Sequence, residues 1–389
     1  MSHSQEAFSL YVHIPYCVSK CPYCDFNSHV VARIPEENYT AALLRELEQY
    51  AGDPRWSGRT VQSIFFGGGT PSTFKPDSIG IILEQAAALY PIKPECEITL
   101  EANPGTVDGA NFSGYREAGV NRISVGIQSF QPRLLKFLGR VHSADDGRAA
   151  LDVVHRAGFD NFSLDLIFAN PGQTLNELEA DLDIALDHQP PHLSAYNLTF
   201  EEGTPFHHEY RSGRMAALGE EEEIAMAELI DDKLRGAGIN RYEISNYALP
   251  GHHCRHNVNY WHCGDYLGVG AGAHSHLRTS DGAVLGKRWG NEKNPARYMA
   301  RIGETGTAVS DSEDINRHKA AGEFLFLGLR MTAGVSCAAF SSRYGQSPVD
   351  LYPRIEIWRE AGLMEEQGGY LRLTPMGLLL ANSIFVEFM

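Results

Sequence analysis

Short apolar runs alternate with amphipathic segments over residues 8–247. The apolar runs have the length of buried strands, and the segments between them repeat apolar residues at helical spacing. Strands are predicted at 10–15, 61–67, 97–102, 122–129, 161–169 and 192–199, with a weaker seventh at 241–244. Helices are predicted at 35–50, 75–89, 133–138, 144–157, 175–187 and 220–235. These strand–helix repeats predict an α/β fold with a parallel sheet, and six units are too few for a closed eight-fold barrel. We therefore expect a partial, open parallel β/α barrel over residues 1–250.

Residues 311–389 follow a different pattern, which predicts a smaller C-terminal domain. Helices are predicted at 314–331, 336–344 and 351–361, followed by two short strands around Gly368 and Gly369. This order is typical of a winged-helix-like domain, but the segment carries ten acidic and seven basic residues. That balance has the wrong sign for a surface that reads phosphates. We expect this domain to pack against the barrel or to cover a substrate, with residues 251–310 connecting the two.

Composition narrows the class of protein. Hydrophobic residues make up 43% and charged residues 21% of the chain, close to globular averages. No apolar run is long enough to span a bilayer, and the polar start of the chain lacks an apolar export leader. A net charge of −16 argues against nucleic acid as the main partner. We expect a cytoplasmic protein, and contact with the inner face of a membrane is left open.

Three cysteines follow the first predicted strand at a four-then-three spacing, Cys17, Cys21 and Cys24. A structural zinc site needs four ligands in a closed tetrahedron, and the nearby histidines do not stand at a familiar offset. A disulfide would leave one thiol over. A [4Fe-4S] cluster held by three thiolates would keep one iron open for a substrate or cofactor. Burial as small residues is expected for the other cysteines, which are Cys96, Cys254, Cys263 and Cys337.

Glycine and polar residues stand at the ends of the later strands. Three consecutive glycines precede Thr70, and glycines let the backbone approach a ligand closely. Glu101 and Gln128 stand at the ends of the third and fourth strands, and Asp165 lies in the fifth. Ligand-binding residues of parallel barrels collect at the carboxyl ends of the strands, so these side chains should face one mouth. A salt bridge that closes the barrel is the alternative for Glu101 and Asp165.

Residues 252–276 concentrate six of the sixteen histidines together with two cysteines. Zinc is one interpretation, although the spacing does not match common zinc sites. Haem is another, because neutral imidazole is a common axial ligand and Tyr260 and Trp261 offer flat apolar area to a macrocycle. His256 is the candidate ligand in that case. The third interpretation is that His256 and Trp261 only pack at the barrel bottom or the domain boundary.

The spacing CxxxCxxC after a first strand resembles the radical S-adenosylmethionine (SAM) superfamily. The resemblance implies that Cys17, Cys21 and Cys24 hold a [4Fe-4S] cluster whose free iron is chelated by SAM, and that the cluster can cleave SAM to a 5′-deoxyadenosyl radical. In the branch of oxygen-independent coproporphyrinogen oxidases, residues of the SAM site match positions of this chain. These positions are Tyr11, Tyr23, Gly68, Gly69, Thr70, Glu101, Gln128, Arg140 and Asp165.

Two departures from the oxidases favour their relatives, the haem chaperones of the same superfamily. The oxidases carry a fourth motif cysteine where this chain has Phe26, and a longer segment before the motif where this chain has sixteen residues ahead of Cys17. The segment HNVNYW, which begins at His256, resembles the HNxxYW signature of the haem chaperones. This resemblance implies that the chain binds haem and delivers it to apoproteins such as cytochromes or haem-storage proteins.

Three functions are therefore considered. The first is a haem chaperone with a SAM-liganded cluster, for which an electron donor is an expected partner, a homodimer is one arrangement to test, and cleavage of SAM is left open. The second is a radical SAM enzyme that decarboxylates coproporphyrinogen III to protoporphyrinogen IX. The third is a metal-binding interaction protein without radical chemistry.

Overall fold

Six parallel strands form the centre of the fold in the computed structural model, which describes residues 7–106, 108–281 and 283–389. These strands are β1 (Phe8–Ile14), β2 (Val61–Gly68), β3 (Ile92–Ala102), β4 (Arg122–Gln128), β5 (Phe162–Phe168) and β6 (His192–Asn197). Each pairs in parallel with the next. The prediction of an α/β fold with a partial parallel barrel is confirmed. The polar start of the chain, on which the expectation about export depends, lies largely outside the described residues.

Helices connect these strands and cover the outside of the sheet. They are α1 (Glu36–Ala51), α2 (Pro76–Leu89), α3 (Gly109–Glu117), α4 (Pro132–Phe137), α5 (Ala144–Arg156), α6 (Leu175–Asp187), α7 (Pro205–Arg211) and α8 (Glu220–Gly236). Reciprocal caps begin two of them: Ser143 and Asp146 at α5, and Thr174 and Glu177 at α6. Such capping boxes satisfy backbone amides that the first helical turn leaves unpaired. The main core lies between the helices and the continuously apolar strands.

Further strands extend the sheet on both sides of the parallel centre. They are β7 (Asn240–Arg241), β8 (Asn246–Ala248), β9 (Tyr266–Val269), β10 (His274–Asp281), β11 (Val284–Asn291) and β12 (Val309–Asn316). Across the described residues, the sheet has the order β12-β11-β10-β9-β1-β2-β3-β4-β5-β6-β8-β7. The predicted seventh strand, 241–244, is only a short antiparallel ribbon of β7 and β8 at one edge.

Residues 251–310, predicted to connect two domains, instead continue the barrel sheet. They contain α9 (Arg255–Trp261) and α10 (Pro295–Thr305) as well as β9, β10 and β11. β9 pairs with β1 in parallel, and β10 and β11 follow antiparallel. The sequence lacks the apolar alternation of ordinary strands here because one face of these strands lines a cavity, as described below.

The C-terminal unit has its own core and a small sheet. Its helices are α11 (Arg317–Gly328), α12 (Cys337–Tyr344), α13 (Pro348–Leu351), α14 (Arg354–Glu360), α15 (Pro375–Leu379) and α16 (Ala381–Phe385). Its strands are β13 (Val335–Ser336), β14 (Met364–Gln367) and β15 (Tyr370–Leu373), in the order β13-β15-β14. The two-stranded wing is present as predicted, whereas the first helix begins only at Arg317 because 309–316 belong to β12. None of the described helices combines the length and apolar character that a bilayer crossing requires.

Candidate functional site

The three motif cysteines share one loop that begins directly after β1. Two backbone hydrogen bonds close the base of this loop, from the Cys17 amide to the His29 carbonyl (3.1 Å) and from the His29 amide to the Pro15 carbonyl (2.7 Å). Cys17, Cys21 and Cys24 are half-buried and form no disulfide. The loop therefore presents three free thiols from a segment whose two ends are fixed.

Two side chains, one after β2 and one after α4, donate hydrogen bonds to two of these sulfurs. Thr70 Oγ1 donates to Cys17 Sγ at 3.4 Å, and Arg140 Nη1 donates to Cys21 Sγ at 3.5 Å. Asn103 joins the two donors, because its Nδ2 donates to Thr70 Oγ1 at 2.8 Å and its Oδ1 accepts from Arg140. Sequence reasoning did not single out Asn103, although its position directly after β3 was a usable signal.

Burial raises the pKa of the Cys17 and Cys24 thiols. The hydrogen bond from Thr70 opposes that shift at Cys17. A metal displaces thiol protons when it binds, so these cysteines would release protons on taking up iron.

The glycine loop after β2 lies against the cysteine loop with no room for side chains. A Cβ at Gly68 would lie 2.5 Å from the His13 ring, and one at Gly69 would lie 2.6 Å from the Tyr16 carbonyl oxygen. Gly68 also has a φ of +114°, a conformation that side chains strongly disfavour. Its amide donates to Glu101 Oε2 at 3.3 Å. These glycines let β2 and the cysteine loop approach within backbone contact.

The end of β4 meets the same network through the Gly126 carbonyl. Gln128 has a left-handed φ of 70°, and a Cβ on Gly126 would lie 2.9 Å from its Nε2. Arg140 donates from Nη2 to the Gly126 carbonyl at 2.8 Å and from Nη1 to the Tyr23 hydroxyl at 3.5 Å. Arg140 thus joins β4 to the cysteine loop.

Two predicted carboxyl groups, Glu101 and Asp165, lie beside each other inside the barrel. Burial and the nearby Asp165 raise the pKa of Glu101 to about 8. Burial also raises the pKa of Asp165, against hydrogen bonds from serines that include Ser124, at 3.2 Å, and against the charge of Arg122. Neither Glu101 nor Asp165 forms an ion pair among the described residues, so the salt bridge considered from the sequence is not formed. Both line a polar cavity of about 190 Å³.

A larger cavity, of about 1180 Å³, opens between the barrel mouth and the C-terminal unit. Tyr11, His13, Gly68 and Glu101 lie at its barrel side. Its apolar lining comes from the cysteine loop, the HNVNYW segment and the C-terminal unit, and comprises Phe26, Trp261, Phe326, Leu327, Phe388 and Met389. This volume exceeds that of most small-molecule pockets. The cavity thus has room for a large, flat and partly apolar ligand.

The candidate haem ligand His256 does not face this cavity. It is 1% exposed, and both ring nitrogens are hydrogen-bonded. Ser63 Oγ donates to Ser9 Oγ, so Nδ1 of His256 donates to Ser63 (3.0 Å) and Nε2 accepts from the Tyr260 hydroxyl (2.8 Å). Burial lowers its pKa to about 3. With both ring nitrogens engaged, His256 presents no free nitrogen to this cavity, and its contacts fit the packing alternative. Tyr260 and Trp261 do line the cavity.

No three histidine, cysteine, aspartate or glutamate side chains in the described ranges are grouped as a site for a single metal ion. This applies both to the cysteine loop and to the histidine-rich segment 252–276. A zinc ion would need such a group. A cluster of several irons distributes its thiolates over separate metal atoms, and three cysteines around one loop suit that requirement. Of the other cysteines, Cys96, Cys254 and Cys263 are buried and Cys337 is half-buried.

Comparison with known proteins identifies the family. The model of the radical SAM superfamily matches residues 11–185, and the model of the HemN C-terminal domain matches residues 315–380. The chain is 37% identical to the heme chaperone HemW of Escherichia coli, with 98% of each chain covered. It is 36% identical to the heme chaperone HemW of Bacillus subtilis, over 98% of this chain and 99% of the relative. The chain belongs to the HemW family of radical SAM proteins.

A solved structure supports the fold of this HemW-family chain. Coproporphyrinogen III oxidase HemN from Escherichia coli superposes with a TM-score of 0.83, at 21% identity, over 98% of this chain and 90% of that one. At that identity the likeness shows the fold alone. Membership of the radical SAM superfamily implies a [4Fe-4S] cluster and SAM, and the chain fits both. Three free thiols lie on one fixed loop, and two of them accept side-chain hydrogen bonds. Any Cβ on Gly68 or Gly69 would fill the space between the glycine loop and the cysteine loop.

Proposed function

We propose that this protein binds haem in the 1180 Å³ cavity and passes it to apoproteins. The observation that carries the proposal is the cavity itself, which joins the cysteine loop, the Tyr260–Trp261 pair and the C-terminal unit around one space. Its aromatic and aliphatic lining suits the faces of a porphyrin. The family relatives named heme chaperones, matched along nearly the whole chain, support the same assignment.

Cys17, Cys21 and Cys24 would hold the cluster, which when bound supplies one-electron chemistry to SAM. The proposed SAM site comprises Tyr11, Tyr23, Gly68, Gly69, Thr70, Glu101, Gln128, Arg140 and Asp165. The chain's own contribution is orientation: Arg140 and Thr70 fix the thiols, and the glycine loop exposes backbone groups. Burial raises the pKa of Glu101 to about 8, and a bound ligand cation would favour its ionised form and so lower that pKa.

Several expectations about partners stay proposals. Haem acceptors such as cytochromes or haem-storage proteins, an electron donor and a second copy of the chain are candidates. Nucleic acid is not, given the net charge of −16. We propose a cytoplasmic location, and contact with the inner face of a membrane is the alternative proposal.

The decarboxylase alternative is less well supported. Phe26 stands where the oxidases carry their fourth motif cysteine. Its side chain is 61% exposed and lines the cavity, where it can contact an apolar ligand. The likeness to HemN concerns the fold, while the relatives matched above 30% identity are named heme chaperones.

Haem titration of the anaerobically reconstituted protein tests the proposal. We expect one haem per chain and its transfer to an apocytochrome. Phe26→Asp should weaken binding about tenfold or more, since an apolar contact of that size is worth about 1.5–3 kcal/mol. Val30→Asp is the matched control. Val30 is an exposed apolar residue next to the base of the cysteine loop, and it is not part of the cavity lining. Absence of haem binding by the wild-type chain, or production of protoporphyrinogen IX, would refute the proposal.

A further inference from the structure

Four histidines line the large cavity, and two of them, His13 and His276, are buried. His13 hydrogen-bonds the Tyr11 hydroxyl through Nδ1 (3.0 Å) and the Asn27 carbonyl through Nε2 (2.9 Å). His276 is 8% exposed and hydrogen-bonds the Gly264 carbonyl through Nδ1 (3.2 Å). His13 therefore has no nitrogen free for a ligand. Nε2 of His276 lies against β11, where a Cβ on Gly286 would be 3.3 Å from it. The two remaining histidines are His274 and His318.

His274 stands at the start of β10 with its ring open to the cavity. The side chain is exposed, and neither ring nitrogen makes a hydrogen bond within the part of the chain that the structure describes. Its strand is paired with β11, where His274 lies opposite Gly290. A Cβ on Gly290 would lie 2.8 Å from Cε1 and 3.1 Å from Nδ1 of His274. The glycine therefore makes room for this imidazole beside the strand, and the sheet holds its backbone in place.

His318 differs in its setting. It belongs to the first turn of α11 in the C-terminal unit, and its ring stacks on Tyr352 with a centroid distance of 5.6 Å. Its imidazole thus already has an aromatic contact on one face. His274 lacks such a contact and is carried by the barrel sheet, close to the cysteine loop.

Cations at the same cavity suit the carboxylates of a porphyrin. Arg288 is paired with Glu313 (2.9 Å) and Glu323 (2.7 Å). Lys293 also lines the cavity, is exposed, and forms no ion pair within the described ranges. A dianionic ligand that presents carboxylates at one edge could thus pair with Lys293 while its metal faces an imidazole.

We propose that His274 supplies the nitrogen that binds the haem iron. The inference rests on the proposed haem-binding function and adds the ligand residue to it. The step is the formation of one dative bond from a neutral imidazole nitrogen to iron, with displacement of a weakly held water and no change of oxidation state.

The test is haem titration of the reconstituted protein, followed by absorption and electron paramagnetic resonance spectra of the ferric complex. His274→Ala should weaken haem binding at least about tenfold, as losses at metal sites do, and should change the spectra of the iron. Added imidazole should restore the wild-type spectra, which a purely structural defect would not allow. His207→Ala is the matched control, on a helix outside the cavity, and should leave the spectra unchanged. His318→Ala tests the rival ligand at the cavity.

The outcomes separate the two proposals. A wild-type chain that binds no haem refutes the proposed function and this inference with it. A wild-type chain that binds haem, together with His274→Ala of unchanged spectrum and affinity, refutes the inference alone. A change confined to His318→Ala would assign the iron to the C-terminal unit instead. Thermal unfolding and the cluster iron content of His274→Ala show whether the variant is still folded. The same measurements on a second variant, His274→Gln, separate a loss of haem binding from a loss of fold.

Discussion

Thr70 places a hydroxyl group on the first cysteine of the loop. The hydroxyl donates to Cys17 Sγ and accepts from Asn103, so its proton is directed at the sulfur. Hydrogen bonds to the sulfurs of an iron–sulfur cluster raise its reduction potential, because they stabilise the more negative, reduced state. This one side chain would therefore raise the reduction potential of the cluster that the loop is proposed to hold.

Replacement of this hydroxyl gives a directional prediction. Thr70→Val should make the cluster potential more negative, because the sulfur loses its donor while the side-chain shape is kept. Thr70→Ser, which retains the hydroxyl, should stay close to the wild type. Redox titration followed by visible absorption measures both. Equal potentials for the wild type and Thr70→Val would contradict the assigned contact.

The sequence predicted the cysteines but not their partners, for a physical reason. The spacing within one loop determines which thiols can come together. The hydrogen bonds of Asn103 to Thr70 and Arg140 depend instead on how β3 lies beside β2 and α4. The same limit applies at His256. Tyr260 and Trp261 of the segment HNVNYW line the large cavity, whereas α9 turns His256 inward to Ser63, and the pattern carries no information about that direction.

Glu46 hydrogen-bonds helix α1 to the part of the sheet formed by β9 to β12, which was not predicted from the sequence. Its carboxyl group accepts from the Gly270 amide (2.8 Å), the Asn291 amide group (2.7 Å) and the Tyr298 hydroxyl (2.6 Å). The side chain is 1% exposed, and burial raises its pKa to about 7 against these three donors. One buried carboxyl group thus connects α1 with β11, α10 and the loop after β9.

Substitution of this residue tests the connection. Glu46→Gln places an amide NH2 group against three groups that are themselves hydrogen-bond donors, so at least one donor loses its acceptor. The free energy of unfolding should fall by about 1–3 kcal/mol. The folded-state pKa lies above the unfolded value, so the wild-type carboxyl group contributes less to stability as pH rises from about 4.5 through 7. The difference between wild type and Glu46→Gln should therefore shrink over that range. Urea unfolding at several pH values measures it.

Glu37→Gln is the control for this prediction, because Glu37 is exposed on the same helix. Its cost should stay below about 1 kcal/mol, the contribution of an exposed acidic side chain in the first turn of a helix. If Glu46→Gln were as stable as Glu37→Gln at every pH, the three contacts would have no energetic role.

The parallel strands were predictable because both faces are buried, which gives each of them a continuous apolar run. The strands β9 to β12 were not. Their cavity-facing positions are filled by residues such as Tyr266, His274, His276 and Arg288, so they lack the expected apolar signal. Glycines at 268, 286 and 290 weaken it further, since glycine in a strand lowers strand propensity.

The molecule as a whole encloses its cavity with two units that share backbone contacts. The Ile244 amide donates to the Arg330 carbonyl at 3.1 Å, and the Thr332 amide donates to the Tyr242 carbonyl at 3.0 Å. The Arg330 guanidinium also lies over Trp261, 4.3 Å from the ring centroid. These contacts hold the C-terminal unit over the barrel mouth, so a ligand in the cavity would contact both units at once.

The most direct test is iron and sulfide analysis of the anaerobically reconstituted chain, read together with its visible spectrum. We predict about four iron atoms per wild-type chain with broad absorption near about 400 nm. Cys17→Ala, Cys21→Ala and Cys24→Ala should each lose most of both signals. Cys337→Ala, at a half-buried cysteine of the C-terminal unit, should keep them. A colourless wild-type protein, or a triple alanine variant with undiminished iron, would contradict the account.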